Sequence, residues 1–244
     1  MSCFCFLFSC NDLKKQQTRE KEDTDIEVAN DSVVVEDIES VIEVSALESY
    51  LNEHGLLNIR TLDPSIKVDL KYASTDNFTK TILYDSLSNV YLHPQAAEKL
   101  IKAQTLLKDY DNNLFLLIYD AARPMSVQKK MYAVVQNTPY HAYVANPSRT
   151  GMHNYGMAVD LTICTVEGLP LDMGTPFDYF GAAAGINKED ELVSKGVLTT
   201  EQVVNRRLLR RVMTEAGFIA IRGEWWHFNA STLEYAKNNI PLIE

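Results

Sequence analysis

Cysteine is scarce in this sequence and unevenly distributed. Four cysteines occur in 244 residues, and three of them, Cys3, Cys5 and Cys10, fall within the first ten positions. Only Cys164 lies further along the chain. A disulfide framework or a four-cysteine zinc site in the body of the protein is therefore excluded. Because Cys164 stands in an apolar segment, we expect it to be a buried strand residue and not a nucleophile.

Long apolar runs and an excess of positive charge are also lacking. No run approaches the roughly 18–20 apolar residues that span a bilayer, which excludes a polytopic membrane protein. The net charge is −10, so the basic face that phosphate contacts need is missing and nucleic acid is not expected as a partner. The acidic excess is concentrated in residues 1–48, which hold 4 Lys and Arg against 12 Asp and Glu. An acidic segment thus precedes a nearly neutral body.

The first ten residues combine a short apolar stretch with a cysteine. Leu7-Phe8-Ser9-Cys10 resembles a lipobox, in which a bacterial signal peptide is cut before a cysteine that becomes lipidated. However, Phe8 is bulkier than usual at that position, and no Lys or Arg precedes the apolar run. Two interpretations stay open: a lipoprotein signal segment at residues 1–10, or a hydrophobic N-terminus without a role on a cytoplasmic protein.

Residues 11–45 have the composition of a spacer. They contain no Gly or Pro, many acidic residues and few aromatic ones, a pattern that is typical of disordered segments. We expect an acidic flexible tether, which a lipidated Cys10 would anchor outside the cytoplasm, facing the periplasm or the cell surface. The folded domain is expected at residues 46–244.

This domain mixes strand and helix patterns. Strands are expected at 66–70, 114–119 and 157–163, with a closing hairpin at 218–221 and 226–228. Apolar residues recur at helical spacing after Pro94, near Ser126 and around Leu209, which predicts three helices. Since strands and helices do not alternate as βαβ units, we predict an α+β fold, a single domain with a largely antiparallel central sheet flanked by helices.

Two stretches carry residues suited to a metal hydrolase. His153 stands in a glycine-flanked loop, and Asp160 lies seven residues later on the polar face of an alternating strand. Glu224 and His227 lie together near the end of the chain. A zinc hydrolase needs three protein ligands and a nearby general base. His153, Asp160 and His227 are therefore candidate ligands and Glu224 is the candidate base, although the common HExxH zinc motif is absent.

Several ordered segments between about Val68 and Phe228 resemble those of one family. They include DLKYA at 69–73, NFT at 77–79, YL at 91–92, YDAARP at 119–124, the block from 153 to 162, MGTPFD at 173–178 and EWWH at 224–227. In these motifs the chain is similar to the D-alanyl-D-alanine dipeptidases (VanX-like), which belong to the zinc D,D-peptidases. The resemblance implies their Hedgehog/DD-peptidase-like fold.

The resemblance also implies roles for individual residues. One zinc ion per chain would be held by His153, Asp160 and His227, with Glu224 as the base. Arg123 would polarise the scissile carbonyl and stabilise the oxyanion. Asp178 would meet the free amino group of the dipeptide, and Tyr72 is a weaker candidate for the same subsite.

The implied reaction is the hydrolysis of D-Ala-D-Ala to two D-alanines, in peptidoglycan precursor turnover or glycopeptide resistance. Two alternatives stay open: a zinc D,D-carboxypeptidase or endopeptidase on peptidoglycan stems, and a non-catalytic cell-wall-binding lipoprotein. Two departures bear on specificity. Gly151 stands where the family often has Ser, and Ala122 stands where it often has an aromatic residue. We expect both to enlarge the substrate pocket.

The remaining charged residues suggest no further site. Arg206, Arg207, Arg210 and Arg211 flank the apolar stripe of one helix, and we expect them to form a solvated face. His54, His93 and His141 are expected at the surface or at helix caps.

Overall fold

The computed structural model describes residues 45–144 and 146–244, the part of the chain to which the fold and the candidate site belong. The expected signal segment at 1–10 and the tether, apart from Ser45, lie outside the described residues. The described residues belong to one compact unit, Glu43–Glu244. None of their helices is both long and apolar enough to cross a bilayer.

Helices and strands are interspersed along the described chain. The α-helices are α1 (Ala46–Glu53), α2 (Ile59–Leu62), α3 (Pro94–Tyr110), α4 (Met125–Val135), α5 (Glu189–Ser194), α6 (Thr200–Glu215) and α7 (Leu233–Asn239). The strands are β1 (Leu57–Asn58), β2 (Lys67–Val68), β3 (Tyr91–Leu92), β4 (Phe115–Asp120), β5 (Ala158–Cys164), β6 (Ile219–Ala220) and β7 (His227–Asn229). Short 3-10 helices form at Lys71–Ala73, Pro139–Tyr143, Met152–Tyr155 and Ala182–Ala184.

The central sheet has five strands in the order β2-β4-β5-β7-β6. Only the β2–β4 pairing at one edge is parallel, and the other three pairings are antiparallel. A separate antiparallel pair joins β1 to β3. The α+β prediction with a largely antiparallel sheet is therefore confirmed, and so are the predicted strand positions.

Strand β5 crosses the middle of the sheet and is buried on both faces. Val159, Leu161 and Ile163 belong to the hydrophobic core, as their alternation predicts. Asp160 and Thr162 on the opposite face are also buried, at 4% and 0% exposure. A buried carboxylate is costly unless other groups compensate its charge, so Asp160 requires partners on that face.

The long helices begin at residues with a local physical reason. His93 caps α3 by accepting a hydrogen bond of 3.3 Å from the Gln95 amide, and Pro94 follows in the first turn. Thr199 and Gln202 form a capping box at the start of α6. These capping residues determine where each helix begins, which the spacing of apolar residues alone does not.

The expectation of a solvated arginine face on α6 is wrong for one residue. Arg206 is 1% exposed, whereas Arg207 is exposed. The reason is helical geometry, since Arg206 precedes Leu209 by three positions and Met213 by seven and so shares their buried face. The guanidinium therefore lies inside the protein.

Candidate active site

Two strands and a 3-10 helix bring the predicted metal ligands together. Asp160 on β5 and His227 on β7 are directly opposite partners in the antiparallel ladder. His153 lies in the 3-10 helix Met152–Tyr155, just before β5. One ligand atom from each residue lies within 4.8 Å of the other two. Residues separated by up to 74 positions thus converge on one point.

Hydrogen bonds fix both imidazoles in the orientation that metal binding needs. His153 Nδ1 lies 2.7 Å from the Ala121 carbonyl, to which it can only donate, so its proton resides there and Nε2 carries the lone pair. His227 Nε2 lies 2.8 Å from Asn229 Oδ1 in the same way, which leaves the lone pair on Nδ1. These two unprotonated nitrogens are 3.2 Å apart. Such outer partners are typical of metal-ligating histidines.

The carboxylate of Asp160 lies beside both inner nitrogens. Its Oδ1 is 2.9 Å from His227 Nδ1 and its Oδ2 is 3.3 Å from His153 Nε2. Burial by itself raises the pKa of Asp160, but the imidazoles of His153 and His227, when they are protonated, outweigh burial and hold the pKa well below its ordinary value. Asp160 is therefore an anion, and an anion with two imidazole lone pairs is a donor set that suits zinc.

Arg123 follows β4 and is held by buried acceptors. Its Nε and Nη2 both donate to Asp120 Oδ2, and its Nη1 donates to Gln128 Oε1 at 3.0 Å. Asp120 also accepts a bond of 2.6 Å from the Tyr84 hydroxyl. Arg123 Nη2 lies 4.0 Å from Asp160 Oδ2. Its Nη1 also contacts Met131 Sδ at 3.8 Å. A guanidinium has five N–H groups, so one N–H of Nη2 remains to donate to a substrate oxygen beside the metal ligands.

Asp178 and Tyr72 form a second polar pair in the same cleft. The Tyr72 hydroxyl donates to Asp178 Oδ2 at 2.9 Å, and the Arg123 guanidinium lies 5.1 Å from the centre of the Tyr72 ring. Burial, and then the negative charge of Asp160, raise the pKa of Asp178 well above its ordinary value. This carboxyl group is thus poised to gain a cationic partner.

Glu224 lies at the edge of the metal ligands without joining them. Its Oε2 is 4.0 Å from His227 Nδ1, and its side chain is 42% exposed. Partial burial and the charge of Asp160 raise the pKa of Glu224 above its ordinary value. A carboxylate of raised basicity near a metal site can accept a proton from water.

All seven predicted site residues line one cleft of about 370 Å³. Apolar side chains complete its wall, namely Phe78, Met131, Val144, Met152, Phe180, Ile221, Trp226 and Leu233. Gly151 also lines the cleft, as the sequence predicts. Ala122 does not lie among the lining residues and is buried in the core. Its effect on the pocket is therefore indirect.

Sequence reasoning missed the residues that hold the site in place. Asn229 orients His227, and Asp120, Tyr84 and Gln128 hold Arg123. Asn229 could have been found because it lies two positions after His227, on the same face of a strand. Tyr84 and Gln128 carry no comparable signal, since their contacts depend on the tertiary fold.

Most of the chain, including the cleft residues, is similar to known proteins. The family model Peptidase_M15, described as D-ala-D-ala dipeptidase, matches residues 52–242. A D-alanyl-D-alanine dipeptidase of Escherichia coli K12 is 33% identical over 71% of this chain and 83% of its own length. The D-alanyl-D-alanine dipeptidase of Enterococcus faecium is 31% identical over 72% of this chain and 91% of its own length. An enzyme with the same name from Enterococcus faecalis is 28% identical over 72% of the chain.

Proposed function

The chain belongs to the Peptidase_M15 family of metal-dependent D-Ala-D-Ala dipeptidases, and on this basis we propose that it hydrolyses the free dipeptide D-Ala-D-Ala to two D-alanines. The observation that carries the proposal is the convergence of His153, Asp160 and His227 in a cleft that also holds a carboxylate at each of two further positions. One of these, Glu224, suits catalysis, and the other, Asp178, suits recognition of an amino group.

We propose zinc as the metal, one ion per chain. Two imidazole nitrogens with fixed lone pairs and one carboxylate match the three-ligand set of catalytic zinc sites, which leave a further position for substrate or water. When bound, zinc supplies the Lewis acidity that makes water a nucleophile near neutral pH and polarises a carbonyl. The ligands of this chain would be His153 Nε2, Asp160 and His227 Nδ1.

Glu224 and Arg123 would act on the reacting groups. Glu224 takes a proton from the attacking water and passes it to the leaving amine, so that water adds across the peptide bond and two amino acids result. Arg123 donates an N–H to the carbonyl oxygen as negative charge develops there. Asp120 and Gln128 hold the guanidinium before substrate arrives, which reduces the reorganisation that the reaction requires.

Asp178 would select free dipeptides. Its partly buried carboxylate pairs with the substrate ammonium while Tyr72 donates to Oδ2. An N-acylated substrate leaves this carboxylate without a cationic partner in a largely desolvated site, which is unfavourable. This argument favours a dipeptidase over a carboxypeptidase acting on longer stem peptides.

We also propose a cellular location and role. Lipidation of Cys10 would place the domain outside the cytoplasm, where the reaction would serve cell-wall turnover or glycopeptide resistance. The support is the Leu7–Cys10 motif and the acidic composition of residues 11–45. A single acyl chain binds membranes only marginally, whereas the two or three chains of a mature lipoprotein anchor firmly.

The test is an assay of the zinc-loaded protein on three substrates. We expect D-Ala-D-Ala to be cleaved at least about a hundredfold more efficiently than its N-acetylated form, which corresponds to roughly 2.7 kcal/mol in the transition state. His153→Ala should abolish activity, whereas His141→Ala, outside the cleft, should not. Faster cleavage of a pentapeptide stem would indicate the carboxypeptidase alternative, and no cleavage of any substrate would indicate a binding protein.

A further inference from the structure

Arg206 is a buried arginine of α6 that does not line the cleft. A fully buried arginine is unusual unless it is paired with an anion. The buried carboxylate of Glu189 bonds instead to Arg210, at 2.8 Å. Burial lowers the pKa of Arg206 to about 10, and Glu189 opposes this change. The side chain is therefore held mainly by neutral acceptors.

The hydrogen bonds of Arg206 all go to one loop. Its Nε donates to the Met173 carbonyl at 2.6 Å, and its Nη1 donates to the Ala183 carbonyl at 2.9 Å. Its Nη2 donates to Thr175 Oγ1 at 3.4 Å. The two carbonyls flank residues 174–182. One side chain thus joins both ends of this loop to α6.

The loop between these anchors carries Asp178 in an unusual backbone conformation. Asp178 has φ of +58°, a left-handed conformation that non-glycine residues adopt rarely and that the surrounding structure must hold. Residues 174–181 form no regular helix or strand. The position of the Asp178 carboxylate therefore depends on the contacts that anchor the loop.

The same guanidinium lies near Trp225, whose side chain it contacts without contacting Glu224. The Trp225 indole donates to Thr175 Oγ1 at 2.8 Å, and the Arg206 guanidinium lies 5.8 Å from a Trp225 ring centre. Thr175 is thus shared between Arg206 and the residue that follows Glu224. The metal ligands lie on β5, β7 and the turn at Met152–Tyr155, to which the hydrogen bonds of Arg206 do not extend.

We propose that Arg206 is a positioning residue that fixes loop 174–182 so that Asp178 meets the amino group of a free dipeptide. Arg206 thereby sets the preference for free over N-acylated substrates. The inference rests on the proposed function, in which Asp178 binds that amino group. The inference goes beyond the proposed function because it assigns the selectivity for free dipeptides to a buried side chain outside the cleft.

The experiment compares Arg206→Lys with Arg207→Lys in the full chain. Lysine keeps the positive charge but lacks the planar fork that reaches three acceptors. For Arg206→Lys we expect KM for D-Ala-D-Ala to rise about tenfold or more and kcat to stay within about threefold, because a displaced binding group weakens substrate positioning. The ratio of kcat/KM for free over N-acetylated dipeptide should fall at least about fivefold. Arg207→Lys, on the exposed face of the same helix, should change neither quantity.

A milder pair of variants keeps the test decisive if Arg206→Lys does not fold. Thr175→Val removes the oxygen shared with Trp225, and we expect a smaller fall in the same ratio, which Thr175→Ser restores. Zinc bound per chain should equal that of the parent in every folded variant. An unchanged ratio, or an equal loss of kcat on both substrates with a lower Tm, would overturn the inference while the parent remains active. A parent without activity on D-Ala-D-Ala would overturn the proposed function and this inference with it.

Discussion

The Tyr72 hydroxyl donates a hydrogen bond of 2.9 Å to Oδ2 of Asp178, 106 positions later in the chain. The bond favours the charged form of a carboxyl group whose pKa burial raises well above its ordinary value. The aromatic ring of Tyr72 meanwhile lies against the Arg123 guanidinium. One side chain therefore contacts both the proposed recognition group and the proposed oxyanion donor, through different atoms.

This arrangement predicts the pH dependence of substrate binding. A carboxyl group with a raised pKa is neutral on the acid side of that pKa and then cannot pair with the substrate ammonium. KM for D-Ala-D-Ala should therefore rise as the pH falls through the pKa of Asp178. Tyr72→Phe removes the hydroxyl that favours the anion, so this rise should begin about one pH unit higher, equivalent to about 1.4 kcal/mol.

The measurement is KM against pH for the parent, Tyr72→Phe and Asp178→Asn. Asp178→Asn should bind the dipeptide weakly at every pH and lose this part of the profile. Because phenylalanine keeps the ring against Arg123, kcat at high pH should change little in Tyr72→Phe. A profile that is the same in Tyr72→Phe and the parent would contradict the proposed pairing.

Glu224→Gln should separate metal binding from catalysis. Glu224 lies outside the three ligands, so the variant should keep its zinc while activity falls by about 10²–10⁴, the usual contribution of general acid–base catalysis. Zinc content and D-alanine release are measured on the same sample. Glu215→Gln, an exposed acid at the end of α6, is the control. Activity within tenfold of the parent would remove Glu224 from the role of base.

Asn229→Ala should weaken metal binding without removing a ligand. The side-chain amide oxygen of Asn229, Oδ1, accepts from His227 Nε2 and so keeps the lone pair on Nδ1. Loss of such an outer partner typically lowers metal affinity by about 10–100-fold. Competition with a chelator of known zinc affinity measures the change. Asn239→Ala, exposed on α7, should bind zinc as the parent does, and equal affinity in both variants would contradict the assigned role.

The sequence predicts the strands, helices and candidate ligands of this site better than it predicts the residues that hold them in place. Strand β5, the start of α3 at Pro94 and the β6–β7 hairpin follow from patterns within a few neighbouring residues, whereas the ladder that pairs Asp160 with His227 does not. The candidate ligands could be named because their chemistry is specific and because the motifs resemble one family. The three ligands come together in space only through the tertiary fold, which the sequence patterns do not specify.

The contacts of Arg206 are an example of what could not be predicted from the sequence. A cluster of four arginines reads as a solvated face by composition, yet one of them lies at the helical spacing of the apolar stripe. Spacing therefore indicates burial, but the acceptors Met173 and Ala183 are backbone carbonyls of a distant loop. Backbone acceptors leave no mark in a sequence, so the contact could not be predicted.

If Cys10 is lipidated, the cellular location of the protein and the mass of its N-terminal peptide can both be predicted. The mature protein should be recovered from the membrane fraction, with an N-terminus that begins at Cys10 and carries acyl chains, because two or three chains anchor a protein firmly. Cell fractionation and mass spectrometry of the N-terminal peptide measure this. Cys10→Ser should release the protein from the membrane, whereas Cys5→Ser should not. An unmodified Met1 in the cytosolic fraction would contradict the proposed anchor and its extracytoplasmic location.

Gly151 predicts how strictly the cleft selects alanine. It lines the cleft, its φ is −107°, and a Cβ placed there would meet only Asn154 Oδ1, at 3.7 Å. A serine side chain therefore fits without backbone strain and takes up space that the parent leaves open. Extra methyl groups in a pocket change efficiency by about 10–200-fold. Because Gly151 leaves space in the wall, we expect the low end of this range, so that the parent cleaves the better of D-Ala-D-Val and D-Val-D-Ala within about tenfold of D-Ala-D-Ala.

Gly151→Ser should lower cleavage of that bulkier dipeptide by a further factor of about ten while activity on D-Ala-D-Ala stays within about threefold. Gly151→Ala is the matched variant, because it adds bulk without a hydroxyl. If both variants shift the ratio of kcat/KM for the two dipeptides equally, the lost volume is the cause, and if only serine does, the hydroxyl is. Ratios that match the parent in both variants would show that Gly151 does not limit the substrate, and selectivity would then rest on the apolar wall around Met131 and Val144.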